Sequence, residues 1–261
     1  MLAVKAQASG LGISVFFPAY NDAATIAGMV MGAMRTLGSL TNDYEVIVVD
    51  DGSRDATSEI LEELQRLYPD TLRVERHVRN RGYGGAVTTG IRSATKDWVF
   101  YTDGDAQYDV RELVKLVERA QTDSRVDVVN GYKIARADPF YRKVIGAVYN
   151  LGVHFAFGLR VRDVDCDFRL MRRALFGKIE LKSVSGTICV EMIKKLEDAG
   201  ARFADVPVHH FHRSVGRSQF FRPYWLWKTF RDLLALWWEL MGPQSTPRTA
   251  VSPDPQSSKR I

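Results

Sequence analysis

Apolar and polar positions along this chain follow two rhythms that alternate. Ile13–Phe17, Tyr44–Val49, Leu72–His77 and the run from Trp98 to Tyr101 are short and β-rich, with the length and composition of strands. Between them, apolar residues recur at helical spacing. One such segment runs from Ala23 to Leu37. The next carries Ile60, Leu61, Leu64, Leu67 and Tyr68, beyond Asp55 or Thr57, either of which can cap it. Asn80–Ala86 opens a third that reaches Ala94. A fourth, Arg111–Gln121, keeps Leu113, Val114, Leu116, Val117 and Ala120 to one side and leads to a strand at Val126–Asn130. Alternation at these lengths predicts an α/β fold, a mostly parallel sheet flanked by crossover helices.

Three of these strands end in polar or acidic residues. The first runs into Pro18-Ala19-Tyr20-Asn21-Asp22, the second into Asp50-Asp51-Gly52-Ser53, and the fourth into Asp103-Gly104-Asp105-Ala106-Gln107. In a parallel sheet such ends share one edge, where open α/β sheets bind ligands. Tyr20, Asp22, Asp50, Asp51, Asp103 and Asp105 are therefore expected to line one cleft. Asp103 and Asp105 can converge on a hard divalent cation, and Gly104 lets the backbone approach. Magnesium in such sites takes its other ligands from water and substrate phosphates. Taken alone, the pair also reads as a polar turn, because Asp-Gly is a common turn pair. The convergence of three strand ends favours a metal and nucleotide site. Gly82-Tyr83-Gly84-Gly85 lacks the Gly-x-Gly-x-x-Gly spacing and follows the third strand, so it is not a dinucleotide fingerprint. Either a close backbone contact at a helix start or simple loop glycines account for it.

The four stretches together resemble family 2 glycosyltransferases of the GT-A fold, a Rossmann-like α/β architecture. They are most similar to the dolichol- and polyprenol-phosphate sugar synthases. The motifs are Phe17–Asp22, Val48–Ser53, Asn80-x-Gly82-x-Gly84-Gly85-Ala86 and Thr102–Gln107, in the expected order, and the similarity extends from Ile13 to Phe221. The resemblance implies a nucleotide-sugar site of Pro18, Ala19, Tyr20, Asp22, Asp50, Asp51, Gly82, Asp103, Gly104 and Asp105. It implies Mg2+ or Mn2+ held by Asp103, Asp105 and Gln107, bridging the diphosphate of a UDP- or GDP-sugar. Two positions depart from the family: Asp22 stands where glutamate is frequent, and Tyr83 where lysine is frequent.

In the second half, Tyr141–Phe157 is a largely apolar helix suited either to packing in the domain or to lying on a membrane or lipid tail. Asp163-Val164-Asp165-Cys166-Asp167-Phe168-Arg169 resembles the synthases' segment of Asp, small residues and Phe-Arg. Asp163 and Arg169 match, while Asp165 and Asp167 depart from it. In extended chain the three aspartates would share a face. Only Asp163 is assigned to the site, as a catalytic residue with Asp105 and Arg213. A helix at Ile188–Ala199 carries Glu191, and Phe203–Val208 reads as a strand. His209, His210 and His212 lack paired cysteines, so zinc is set aside. Arg213-x-x-Gly216-x-Ser218 resembles the synthases' phosphate loop, and an arginine fork suits phosphate oxygens. Lys133, Arg142, Arg213 and Ser218 are thus the expected acceptor-phosphate residues.

Tyr224–Met241 holds Trp225, Trp227, Trp237 and Trp238, with Lys228, Arg231, Asp232 and Glu239 on one helical face. It is expected to lie at a membrane interface, the rival being packing on the domain or on a second copy. Residues 1–221 are read as the catalytic domain, 222–241 as this amphipathic helix and 242–261 as a disordered tail rich in Pro, Ser and Thr.

Charge sharpens the picture. Residues 1–125 carry 14 basic and 18 acidic side chains, whereas 126–261 carry 22 and 13. A basic second half suits an anionic partner such as lipid headgroups or phosphates, and no motif supports nucleic acid. Two cysteines suit a reducing cytoplasm, the first dozen residues lack a secretory signal, and no window is long and apolar enough to span a bilayer. The expectation is a cytoplasmic enzyme, peripheral on the inner face of the membrane, with a homo-oligomer left open. It would transfer one sugar, with inversion, to a polyprenyl phosphate. A sugar-hydroxyl acceptor, with Asp163 or Asp165 as base, is the alternative, and a non-catalytic nucleotide-sugar scaffold comes third.

Overall fold

The computed structural model describes residues 10–134, 140–212 and 223–242, with 140–143 and 223–226 described in backbone only. The first half alternates β1 (Ile13–Ala19), α1 (Ile26–Leu40), β2 (Tyr44–Asp50), α2 (Thr57–Leu67), β3 (Leu72–Arg76), α3 (Tyr83–Ser93) and β4 (Trp98–Thr102). A 3-10 turn at Val110–Glu112 leads into α4 (Leu113–Thr122) and β5 (Val128–Ile134). Then come α5 (Phe140–Phe157), β6 (Phe168–Arg172), α6 (Ile188–Asp198), β7 (Phe203–His209) and α7 (Pro223–Met241).

Among the described residues the strands form one seven-stranded sheet in the order β3-β2-β1-β4-β6-β5-β7. Every adjacent pair is parallel except β4–β6 and β5–β6. The mostly parallel sheet thus holds, with one reversed strand. That reversal positions the site, because β6 brings its beginning, not its end, to the edge where β1, β2 and β4 finish. Thr102 pairs with Phe168, so the residues just outside the ladder on that edge are Asp103 and Asp167. The segment before β6 is not extended as its alternating aspartates suggested; it turns at Val164–Asp165.

Alternation along β1 separates two cores, as a strand's period of two requires. Ile13, Val15 and Phe17 face α1 and α4 with Val46, Val48, Trp98 and Phe100. Phe16 faces α3 and α6 with Ile47, Val49, Val99 and Tyr101. These side chains are essentially fully buried, each large one contributing about 1.5–3 kcal/mol by the hydrophobic effect.

Some boundaries moved for local reasons. Helix α1 starts at Ile26 rather than Ala23, because the Asp22 carbonyl first accepts the amides of Thr25 and Ile26. Strand β5 continues to Ile134 because β7 pairs with it as far as His209. Asp55, not Thr57, supplies the acceptor at the start of α2, taking the Thr57 amide at 3.1 Å. The Thr57 hydroxyl instead accepts from the Asp22 amide at 2.9 Å and ties the β1 and β2 ends together.

Helix α7 docks Leu236 among Val153 and Phe157 of α5 and Val190 and Ile193 of α6, and Trp237 Nε1 donates to the Ala156 carbonyl at 2.9 Å. Its opposite face stays exposed at Trp227, Phe230, Leu234, Trp238 and Met241. Helix α5 likewise exposes Val144, Ile145, Val148, Leu151 and Phe155. Among the described residues no helix is long and apolar enough to cross a membrane. The tail from residue 243 on lies outside the described residues.

Candidate active site

The ends of β1, β2 and β4 meet as the polar pattern requires, but their acidic residues divide into two kinds. Asp50 and Asp51 are buried, 2% and 3% exposed. Asp50 accepts from the Ser53 amide at 2.9 Å and the Ser58 hydroxyl at 2.5 Å. Asp51 accepts from His77 Nδ1 at 2.6 Å, the Arg81 amide at 2.8 Å and the Gly82 amide at 3.0 Å. Both carboxylates thus brace the loops below the cleft, at the strand end where they were expected.

Gly82 is packed against protein as well. A Cβ on Gly82 or Gly84 would collide with the backbone carbonyls of Val184 and Ser183, and Gly82 has a φ of +84°. The glycines admit the 183–184 segment against the start of α3, where the Gly84 amide donates to the Val184 carbonyl at 3.1 Å. Glu191, fully buried on α6, holds that segment by accepting the Lys182 and Ser183 amides at 2.9 and 2.7 Å. Burial works against its charge, but these bonds and Lys195 outweigh it and keep the Glu191 carboxyl below the usual range.

Pro18 and Ala19 are buried within β1, leaving Tyr20, 39% exposed, and half-buried Asp22 as the side chains this strand end offers to the cleft. The Asp22 carboxylate accepts the Tyr20 amide at 3.0 Å. Around it the β1 and β2 loops are laced by Asn21 and Ala23, whose amides donate to Ser53 at 3.0 Å and Asp55 at 3.2 Å. Asn21 and Ala106 both adopt left-handed φ, 57° and 59°, a local strain of the kind held at functional loops.

Asp103 and Asp105 stand at the centre. Asp105 accepts the Gln107 amide at 3.0 Å, while Asp103 accepts the Tyr83 hydroxyl at 2.8 Å. Burial pushes the Asp103 carboxyl well above the usual range, the Asp167 and Asp105 charges push further, Tyr83 pulls down and Asp22 adds to the rise. Gly104 forms the floor: a Cβ there would sit 3.4 Å from the Pro18 carbonyl and 3.5 Å from the Asp22 carboxylate. The Thr25 hydroxyl fastens it by donating to the Gly104 carbonyl at 2.7 Å. Crowded carboxylates offering only oxygen fit a hard divalent cation, whose charge would relieve their repulsion. Among the described residues no group of three or more His, Cys, Asp or Glu side chains is arranged to hold an ion. A cation met by two carboxylates takes the rest of its shell from substrate oxygens and water.

Gln107, expected as a metal ligand, donates its Nε2 to the Phe211 carbonyl at 3.2 Å and places it 3.4 Å from His210 Nε2. It tethers the end of β7 to the acidic loop. The histidines are dispersed: His209 pairs with Glu112 at 2.6 Å, and His210 packs edge-on against Tyr108.

On the acceptor side Asp163 and Lys133 lie together. Asp163 accepts the Lys133 and Asp165 amides at 3.2 and 3.1 Å and shapes the turn before β6. Lys133, only 6% exposed, places Nζ 3.5 Å from Asp165 and 3.9 Å from Asp163. Burial would lower its pKa, but these two carboxylates hold it well above the usual value, and its charge is spent on that turn. Arg213 and Ser218 lie outside the described residues, as does the Arg142 side chain.

The structure also brings in two residues that sequence reasoning passed over. Asp167, set aside as a departure, stands beside Asp103 across the β4–β6 edge. Tyr83, noted only for lacking a charge, holds Asp103. Sequence order hid both, because they come from β6 and α3.

Residues 14–180 match the family described as "Glycosyl transferase family 2". The chain belongs to glycosyl transferase family 2. Family 2 relatives include undecaprenyl-phosphate 4-deoxy-4-formamido-L-arabinose transferase of Aeromonas hydrophila subsp. hydrophila, 28% identical over 80% of this chain and 62% of the relative. Glycosyltransferase AglD of Haloferax volcanii is 30% identical over 94% of this chain and 40% of its own length. This chain therefore spans less than two thirds of the length of each. In fold, glucosyl-3-phosphoglycerate synthase from Mycobacterium tuberculosis, solved with Mg2+ and uridine diphosphate, superposes with a TM-score of 0.67. It is 19% identical, with 88% of this chain and 81% of that chain covered. The likeness supports the GT-A architecture expected of a family 2 chain.

Proposed function

We propose that this family 2 chain transfers one sugar from a nucleoside diphosphate donor to a polyprenyl phosphate at a membrane surface. The observation that carries it is the crowding of Asp103 and Asp105 at the end of β4, relieved best by a divalent cation. Asp103 and Asp105 would hold Mg2+ or Mn2+, which supplies neutralisation of the leaving diphosphate. Tyr83 and Gly104 shape their approach, and Tyr20 and Asp22 flank the nucleoside. The Aeromonas relative is by name an undecaprenyl-phosphate sugar transferase, which supports this acceptor class.

A phosphate monoester acceptor needs positioning more than a base, since its second pKa is about 6. That agrees with Asp163 being occupied by backbone amides rather than poised toward a hydroxyl. Arg213, Ser218 and Arg142 are the groups we assign to the acceptor phosphate. Residues 1–221 then form the catalytic unit. The exposed apolar faces of α5 and α7, with three exposed tryptophans, would rest on an anionic bilayer on the cytoplasmic side.

The test is transfer of radiolabel from a panel of UDP- and GDP-sugars, with Mg2+ or Mn2+, into organic-extractable short polyprenyl phosphate. Lipid-phase product from one donor is expected. Product only on hydroxyl acceptors would overturn the acceptor assignment.

A further inference from the structure

We infer that Asp167 is a specificity-determining residue that binds a hydrogen-bond donor on the transferred sugar. The inference rests on the donor site proposed above. Because Thr102 pairs with Phe168 in the antiparallel β4–β6 ladder, Asp167 faces Asp103 just beyond the last rung. Its Oδ1 is fixed by two neighbours, accepting from Cys189 Sγ at 3.0 Å and from the Tyr101 hydroxyl at 3.2 Å. Tyr101 is held in turn by Arg169, whose Nη1 donates to its oxygen at 2.6 Å, and Arg169 Nε donates to Asn130 at 2.6 Å. The carboxylate is therefore locked in orientation from beneath. About a sixth of its side chain, 17%, remains exposed, and among the described residues no donor is recorded on Oδ2.

What such a group can bind follows from its charge. A carboxylate repels the diphosphate, so the part of the donor it receives is not phosphate. Among the described residues it joins the Asp pair in no three-carboxylate cluster of metal-holding geometry. With the nucleoside assigned above to Tyr20 and Asp22 at the end of β1, what remains of a nucleotide-sugar at the β4–β6 edge is the sugar, whose hydroxyls, or amine where it has one, donate hydrogen bonds that a fixed carboxylate accepts. Asp103, the carboxylate it faces, is held by the Tyr83 hydroxyl at 2.8 Å.

Calorimetric titration with UDP, GDP and their hexose and amino-hexose conjugates in Mn2+ tests this on wild type, Asp167→Ala and Asp167→Asn. Asp167→Asn keeps the Oδ1 acceptor for Tyr101 and Cys189, so it stays folded even where Asp167→Ala does not. The expected result is that free nucleotides bind all folded variants alike. The gain from the sugar falls about 10- to 100-fold in Asp167→Ala, the range of a hydrogen bond to a charged group. In Asp167→Asn the loss is smaller for a hydroxylated hexose and larger for an amino-hexose. Equal weakening of nucleotide and conjugate, no weakening of either, or a wild type that binds nucleotide without gain from any sugar overturns the inference. A wild type that binds no nucleotide overturns the donor-site reading beneath it.

Discussion

The Tyr83 hydroxyl donates to Asp103 Oδ1 at 2.8 Å, so the first turn of α3 sets the orientation of the carboxylate that ends β4. The glycines around Tyr83 let α3 start against the 183–184 segment, and Glu191 anchors that segment from α6. Tyr83→Phe removes the bond and leaves the packing. The half-saturating Mn2+ concentration for transfer should rise about tenfold, with kcat changed less. A metal titration of the variant measures it.

Asp103 shows what the site costs the fold. Its folded pKa lies above the unfolded one, so its ionisation opposes folding at every pH above the unfolded value, and protonation below that value removes the penalty. Asp103→Asn should therefore raise the metal-free Tm at pH 7 and abolish the rise in Tm that Mn2+ gives wild type. Thermal melts with and without Mn2+ check both halves.

Glu191 has the opposite sign. Its folded pKa is depressed, so its contribution is full above the unfolded value of about 4.3 and is lost as pH falls through the folded value. Glu191→Gln should lower stability at pH 7 and flatten the acid limb of the stability profile. Denaturant titrations between pH 3 and pH 7 read the difference, with flattening expected at roughly the carboxylate range.

Asp51 separates bracing from binding. Asp51→Ala leaves His77 and two amides without their acceptor, a loss of about 3 kcal/mol, which is roughly 6–12 °C in Tm for a chain of this size. Nucleotide affinity, measured well below that Tm, should stay unchanged.

The exposed tryptophans of α7 give a prediction for the membrane. Trp227→Ser and Trp238→Ser should each weaken binding to anionic vesicles about tenfold, from apolar area no longer buried, and leave Tm unaltered. Vesicle sedimentation reports the first effect and a melt the second.

The layered fold was legible because its strands are short, β-rich apolar runs while α1, α2 and α4 keep the helical period, and because three strands end in polar residues. Strand β6 was not, since Phe168–Arg172 is brief and carries Arg169, whose burial depends on Asn130 and Tyr101 from other strands. The site divided along the same line. Asp103, Asp105, Tyr20 and Asp22 were readable from their place at strand ends. Asp50 and Asp51 carry the same signal yet are buried. Asp50 lies under donors from Ser53 and Ser58 in the following loop, and Asp51 under His77 and the Arg81 and Gly82 amides from far along the chain. Asp167 was hidden because assuming extended chain before β6 grouped it with Asp163 and Asp165, whereas the turn at Val164–Asp165 sends it to Asp103.

The most direct test of the donor site is where a divalent ion binds. Crystals grown with UDP and Mn2+ would locate the ion by its anomalous scattering. The account predicts one Mn2+ peak within coordination distance of Asp105 and the diphosphate, absent in Asp105→Ala crystals. A peak held instead by His209 or His210, or UDP bound at the strand ends with no Mn2+ beside it, would contradict it.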